Sequence, residues 1–325
     1  MKSINLKRYA LPVLLTVSML LNVAGLVFFI LFLNTEKRLK DVKNERNHLA
    51  QNLAGLQASQ IARDADLDKR RVRTFVSHFD GAQDAIVIAP KEVPPLKAYQ
   101  LVVYLHGMGH TCLEPFTSPK GHPIADAIIK SDPSIIILSC NYRRQAAWAS
   151  DGALSDISQN IREVCQQFPI NRIAIVGCSM GGCVSLIYAT LAPQDIKEKL
   201  AGVVSLEGAG DMASLYSQTN EPTVRYALQN CFGGNPDQSP ATYAAKSFIK
   251  NVGALPPTTR VAVISAREDK VVPPSLQADI IKALDGAKIT NKLLPIDGDH
   301  HMPDPKVIVD GLRFVLSGSL FTYRF

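Results

Sequence analysis

Hydrophobic positions divide the chain into two textures. From Ala10 to Leu33 no residue is charged. From about Phe75 onward, short apolar runs alternate with stretches of helical spacing. Tyr99–Leu105 and Ser134–Ser139 read as strands buried on both faces, and Arg172–Val176 as an apolar strand that runs into a glycine turn. Leu200–Leu206, Arg260–Ser265 and Lys292–Ile296 supply further strands, and Thr74–Phe79 and Ala85–Ala89 are shorter candidates. Helical spacing recurs over Ile124–Ile129, Ile157–Phe168, Ser179–Leu191, Ser275–Leu284 and Val307–Leu316. Strand–helix alternation of this kind predicts an α/β domain, with a mostly parallel sheet covered by helices on both faces. Residues 208–250 interrupt the pattern with turn residues and weak periodicity, and are expected to form a cap over the sheet's carboxyl edge.

The uncharged run near the start changes the class of protein. Its 24 residues would make a helix of roughly 36 Å, enough to cross a ~30 Å hydrocarbon core with some tilt. A cleaved signal peptide has a shorter apolar region of about 7–15 residues and ends in a small-x-small site, which this run lacks. The expectation is an uncleaved signal anchor over residues 1–34, with residues 10–33 in the lipid bilayer. Lys2, Lys7 and Arg8 precede the span and Lys37, Arg38, Lys40, Lys43 and Arg46 follow it, so positive charge alone does not orient it. A short basic N-terminus kept in the cytoplasm is the expectation, which makes a single-pass membrane protein with its folded domain outside.

Residues 35–73 are polar and free of proline, and predict a helical stalk. Leu39, Val42, Leu49, Leu53 and Leu56 fit alternating a and d positions, and Arg46 and Gln60 break the seam. A weak coiled coil is the expectation, and with it a homo-oligomer assembled through the stalk. The folded domain then occupies residues 74–325.

Charge excludes one class of partner. The net charge of +6 resides in the first 73 residues, which carry +7, so the remainder balances at −1 and offers nucleic acid nothing. The cluster Lys69, Arg70, Arg71 and Arg73 is read as a solvated helix end. Six scattered cysteines make no disulfide scaffold and show no zinc-ligand spacing.

Candidate chemistry gathers at strand ends. Gly177-Cys-Ser179-Met-Gly181 follows a buried strand and opens a helix, the context in which a G-x-S-x-G turn exposes a nucleophilic serine. A serine needs a base, and the base needs an orienting carboxylate. Asp269 follows the strand Arg260–Ser265 and precedes Val271-Val272-Pro273. It is the preferred acid, ahead of Glu268 and then Asp211. Adjacent histidines end the loop Asp297-Gly298-Asp299-His300-His301. They diverge in an extended loop, so one alone can face Ser179. His301, three residues past Gly298 and two before Pro303, is preferred as the base, with His300 the alternative.

His106-Gly107-Met108-Gly109 follows the third strand and would give an oxyanion hole the backbone N–H of Met108, beside that of Met180. His106 is expected to brace this loop. His110 and His122 are ordinary loop residues, and Trp148 and Tyr142 are core aromatics.

From about Thr74 onward the chain resembles the α/β-hydrolase fold family, nearer its esterase and dienelactone-hydrolase-like branches. The likeness rests on the H-G-x-G loop, the G-x-S-x-G elbow, the E-D-x-V-V-P turn and the G-D-H-H-M-P loop, in that order. It implies an eight-stranded sheet, a serine hydrolase with no cofactor, and a small-molecule acyl substrate. The expected activity is carboxylic ester hydrolysis through an acyl-enzyme. Thioester or amide cleavage by the same triad is the alternative, and a non-catalytic tethered binding protein is the rival from another class.

Overall fold

A computed structural model describes residues 35–38 and 70–317, apart from 120, 145 and 146. The chain divides into two units, residues 1–53 and 54–325. Of the first, one helical turn at 35–38 is described. The expected span at 10–33 and the heptad positions 39–56 lie outside the described residues. Among those that are described, no helix is long and apolar enough to cross a membrane.

The second unit is built on one sheet. Its strands are β1 (Arg71–Val76), β2 (Gln83–Ala89), β3 (Tyr99–Leu105), β4 (Ile135–Cys140), β5 (Ile170–Cys178), β6 (Leu200–Leu206), β7 (Arg260–Ala266) and β8 (Thr290–Ile296). Their spatial order is β1-β2-β4-β3-β5-β6-β7-β8. β2 is antiparallel to both β1 and β4, and every other pair is parallel. This is the α/β-hydrolase architecture with eight strands.

Alternation along the central strands produces two cores. Leu101, Val103, Ile173, Ile175, Val203, Val261 and Val263 face one side, where they pack with the helices Asp151–Gln167, Met180–Leu191 and Pro274–Gly286. Val102, Tyr104, Ala174, Val176, Val204 and Ile264 face the other, against Ile124–Ser131 and Pro305–Leu316. A strand sandwiched between helices must be apolar on both faces, so these strands read as continuous hydrophobic runs.

Parallel register sets the carboxyl ends side by side. Leu105 pairs with Gly177, Cys178 with Leu206, Leu206 with Ile264, and Ala266 with Ile296. The residues just beyond these ends therefore converge on one edge, where ligands of open α/β sheets bind.

Two expectations are corrected here. Residues 71–73 belong to β1 and not to a helical stalk. Nor is the basic cluster a solvated helix end: Arg70 lies over the Phe116 ring at 4.5 Å, Arg71 over Phe168 at 5.6 Å, and Arg73 pairs with Glu163 at 2.9 Å. The insertion between β6 and β7 is helical, comprising Met212–Gln218, Pro222–Phe232, Pro240–Ala245 and Phe248–Asn251. Trp148 and Tyr142 are buried in the core, as the aromatic reading expects.

The β1–β2 hairpin is tied to the sheet's helical layer by one cation. Arg143 donates to Asp80, to Asp156 and to Ser77 Oγ, and Ser77 in turn donates to Asp156. Asp156 has no exposed surface.

Candidate active site

The elbow at the end of β5 is steric in origin. A Cβ on Gly177 would sit 2.1 Å from the Gly181 carbonyl oxygen, and one on Gly181 would sit 1.9 Å from that of Leu105. Only glycine allows the strand, the turn and the following helix so close together. Between them Ser179 takes φ 54° and ψ −116°, a region that costs a residue with a side chain roughly 1–3 kcal/mol. Its N–H bonds the Leu206 carbonyl at 2.8 Å, which keeps the turn in place. The side chain does not cap the helix it precedes, so Oγ is presented outward.

Two further loops meet that hydroxyl. His300 Nε2 lies 2.8 Å from Ser179 Oγ, and Nδ1 of the same ring lies 2.7 Å from Asp269 Oδ2. The other oxygen of Asp269 accepts the N–H groups of Val271 and Val272, both at 2.8 Å. Val271-Val272-Pro273 thus fixes the carboxylate that fixes the imidazole. Glu268, the alternative acid, is exposed. Asp211 is spent elsewhere, capping the helix Met212–Gln218 and accepting from Ser247 Oγ at 2.6 Å.

The preference for His301 is overturned. Its ring turns outward and bonds the Asp299 carbonyl at 2.7 Å, lying over Gly298. The loop turns at Gly298, with φ +95°, and His300 is the histidine that reaches the serine.

Burial disfavours the charged form of His300. The hydrogen bond to Asp269 and the negative charges of Asp269, Glu207 and Asp299 outweigh it, and the net shift of its pKa is upward.

One residue was missed altogether. Glu207 follows β6 as Asp269 follows β7, is fully buried, and holds Oε2 3.2 Å from His300 Nδ1. Burial raises its pKa to about 7, and the charge of Asp269 adds to the rise. The only signal in the sequence was a carboxylate directly after a buried strand.

The HGMG loop is braced as expected. The His106 ring is buried, with Nδ1 2.8 Å from the Gly107 carbonyl and Nε2 3.2 Å from that of Asn141. Tyr142 donates to the His106 carbonyl and stacks near its ring. Glu114, a second residue unforeseen in the sequence, accepts the Gly107 N–H at 3.0 Å and the Tyr104 hydroxyl at 2.9 Å. Within the loop, the Gly107 amide is thereby engaged, and that of His110 bonds the Gly107 carbonyl. Met108 borders the serine, and Met180 opens the elbow helix, where the N–H of a first residue has no intrahelical acceptor.

Ser179, His300, Glu207, Glu114, Met108 and Met302 line a cavity of about 170 Å³. No residue of the helical insertion is among those that line it. A larger groove of about 830 Å³ between the helices Ile124–Ser131 and Pro305–Leu316 shares Met302 with it. The donor atoms of Glu207, Asp269 and His300 lie within 4.8 Å of one another. Tetrahedral zinc ligands at ~2.0–2.1 Å from the metal stand roughly 3.3 Å apart. The 2.7 Å contact between His300 and Asp269 is instead a hydrogen bond that holds a proton.

The family profile of the prolyl oligopeptidases (peptidase S9) matches residues 146–317. No curated protein matches the chain. A puromycin-hydrolyzing peptidase of Mycobacterium tuberculosis is similar in structure, with 19% identity, a TM-score of 0.62, and coverage of 80% of this chain and 40% of the peptidase. The chain thus spans about two fifths of that protein. A fluorophosphonate-binding serine hydrolase of Staphylococcus aureus aligns at 14% identity and TM-score 0.59, over 76% of this chain and 98% of its own. A carbohydrate esterase from gut microbiota, in truncated form, aligns at 18% and 0.59, over 78% and 98%. These likenesses carry the fold, with esterases and peptidases alike among the neighbours. The profile covers more than half of the chain and takes in Ser179, Glu207, Asp269 and His300, so the protein belongs to the prolyl oligopeptidase family of α/β-hydrolase serine hydrolases.

Proposed function

We propose that the protein hydrolyses carboxylic esters of small acyl groups through an acyl-enzyme. The observation that carries this reading is the unbroken relay Ser179–His300–Asp269, at 2.8 and 2.7 Å, opening into one cavity. Ser179 Oγ attacks the acyl carbon as His300 Nε2 takes its proton. The carbonyl oxygen gains negative charge, which the N–H groups of Met108 and Met180 receive. His300 then returns the proton to the leaving alkoxide. Water, deprotonated by the same nitrogen, attacks the acyl-enzyme in the second half. Asp269 holds the ring in the tautomer that leaves Nε2 free to accept.

Size supports the acyl preference. The cavity beside Ser179, about 170 Å³, has room for a short acyl group. A second reading, amide cleavage in short peptides or aminoacyl conjugates, is favoured by the family match and by the puromycin-hydrolyzing neighbour. The same nucleophile serves both, and the leaving group separates them.

The test is hydrolysis by the full chain of acetyl, butyryl and dodecanoyl p-nitrophenyl esters beside aminoacyl p-nitroanilides, with Ser179→Ala as the control. Turnover of short esters that disappears in Ser179→Ala sustains the ester reading. Turnover of the anilides alone replaces it with the peptidase reading. Failure of both substrate sets, together with no labelling of Ser179 by a fluorophosphonate, would overturn catalysis and leave a binding protein.

A further inference from the structure

We propose that the acid of this relay is a pair, and that Glu207 is a positioning residue sharing His300 Nδ1 with Asp269. The inference rests on the triad reading above and extends it. Two carboxylates from adjacent strand ends, β6 and β7, reach the same ring nitrogen, Asp269 at 2.7 Å and Glu207 at 3.2 Å. Nδ1 carries one proton, and the shorter contact gives it to Asp269. Glu207 is then left with Oε2 buried and without a hydrogen bond. Its other oxygen accepts a long bond of 3.4 Å from the His301 N–H.

Such a group is costly to keep, since a buried acceptor normally finds a partner. The backbone holds it in place at some further cost. Glu207 sits at φ +50°, its N–H bonded to the Ile264 carbonyl at 2.8 Å. Gly208 beside it leaves no room for a side chain, because a Cβ there would meet Ser205 Oγ at 2.4 Å. A strained residue that presents an unpaired Oε2 to the imidazole has one partner for that atom within reach, the proton on Nδ1.

The consequence is redundancy. When the side chain of Asp269 is removed, a slight rotation of the ring brings the Nδ1–H onto Glu207, which preserves the tautomer. With Asp269 present, Glu207 contributes charge, favouring the imidazolium formed as Ser179 is deprotonated. The groups facing His300 are Asp269, Glu207 and Asp299. Those around Glu207 are His300, His301, Asp269 and the Cys178 thiol, with Glu114 and His110 on the cavity's opposite wall.

The experiment measures the rate at which a fluorophosphonate labels Ser179 in the full chain, which needs no known substrate. The variants are Asp269→Ala, Glu207→Gln, Glu207→Asp and the double variant Asp269→Ala/Glu207→Gln, each with a thermal melt to show that it is folded. Loss of a sole orienting carboxylate costs a serine protease about 10⁴-fold. Here Asp269→Ala should cost about 10²-fold, and Glu207→Gln a further ~10²-fold in that background alone. Glu207→Gln by itself should move the acid limb of the labelling rate to lower pH, and Glu207→Asp should restore part of that shift. A 10⁴-fold loss in Asp269→Ala that Glu207→Gln neither deepens nor shifts in pH would overturn the pair and leave the triad standing. A wild-type protein that is not labelled overturns the triad and the pair together.

Discussion

At the residue scale, the adjacent histidines give the sharpest prediction. His300 touches both Ser179 and Asp269, whereas His301 borders the cavity but hydrogen-bonds only the Asp299 carbonyl and, through its N–H at 3.4 Å, Glu207. His300→Ala should therefore lower kcat/KM at least about 10⁴-fold, because loss of a catalytic base is nearly as damaging as loss of the whole triad. His301→Ala should cost less than about tenfold, the ordinary effect of trimming an exposed loop side chain. Steady-state kinetics on the two variants decide the matter, and a reversed order would refute the assignment. The pH profile carries a sign as well. A general base must be neutral, and the pKa of His300 is raised above its usual ~6.5. Activity should thus be full at alkaline pH and fall on acidification at a point above ~6.5.

At the scale of elements, the strand ends store a cost that pH reveals. Glu207 has a pKa of about 7 in the fold, against ~4.3 when unfolded. Between those values the folded protein holds a proton that the unfolded chain has released, so stability falls as pH rises across the window. At ~1.36 kcal/mol per pKa unit the full loss is about 4 kcal/mol. His300, raised above ~6.5, loses stability in the same direction but at higher pH, so the lower window belongs to Glu207. Urea midpoints at pH 5 and pH 8 should differ less in Glu207→Gln than in the wild type, and equal differences would contradict the reading.

Glu207 also shows where the sequence stops being legible. Strands β3 and β6 were read to the residue, because burial on both faces writes itself as an unbroken apolar run. The elbow was legible because its glycines are steric requirements. Which of two adjacent histidines faces the serine depends on the backbone path of the loop past Gly298, which the sequence does not display. That Glu207 meets His300 depends on the register of β6 against β5 and β7, a property of three strands at once. The loop after β4, where Tyr142, Arg143, Trp148 and Ala149 all take positive φ, has no sequence signature either.

At the scale of the molecule, two ties matter beyond the active site, one within the sheet's edge and one ahead of it. The first is Arg143, the cation that connects the β1–β2 hairpin at Asp80 to buried Asp156. Replacing it with Met keeps most of the side-chain volume but leaves the Asp156 carboxylate buried without its counter-charge. Breaking a buried pair in this way costs about 3–5 kcal/mol, read as a fall in the urea midpoint. A loss below ~1 kcal/mol would show the pair to be worth no more than a surface one. The second tie is a proposal, that residues 10–33 anchor the enzyme in a bilayer. Its support is the 24-residue run without charge. Each arginine at the centre of a membrane helix costs about 2.5–3.5 kcal/mol on insertion scales, so Leu21→Arg/Val23→Arg should defeat insertion. After fractionation, wild type should sediment with membranes and resist alkaline carbonate, while the double variant should move to the soluble fraction with its Ser179 reactivity intact. Among the described residues, none before Gly107 lines the catalytic cavity, and on this proposal tether and chemistry should be separable. A wild type extracted by carbonate as readily as the variant would remove the anchor and leave the hydrolase untouched.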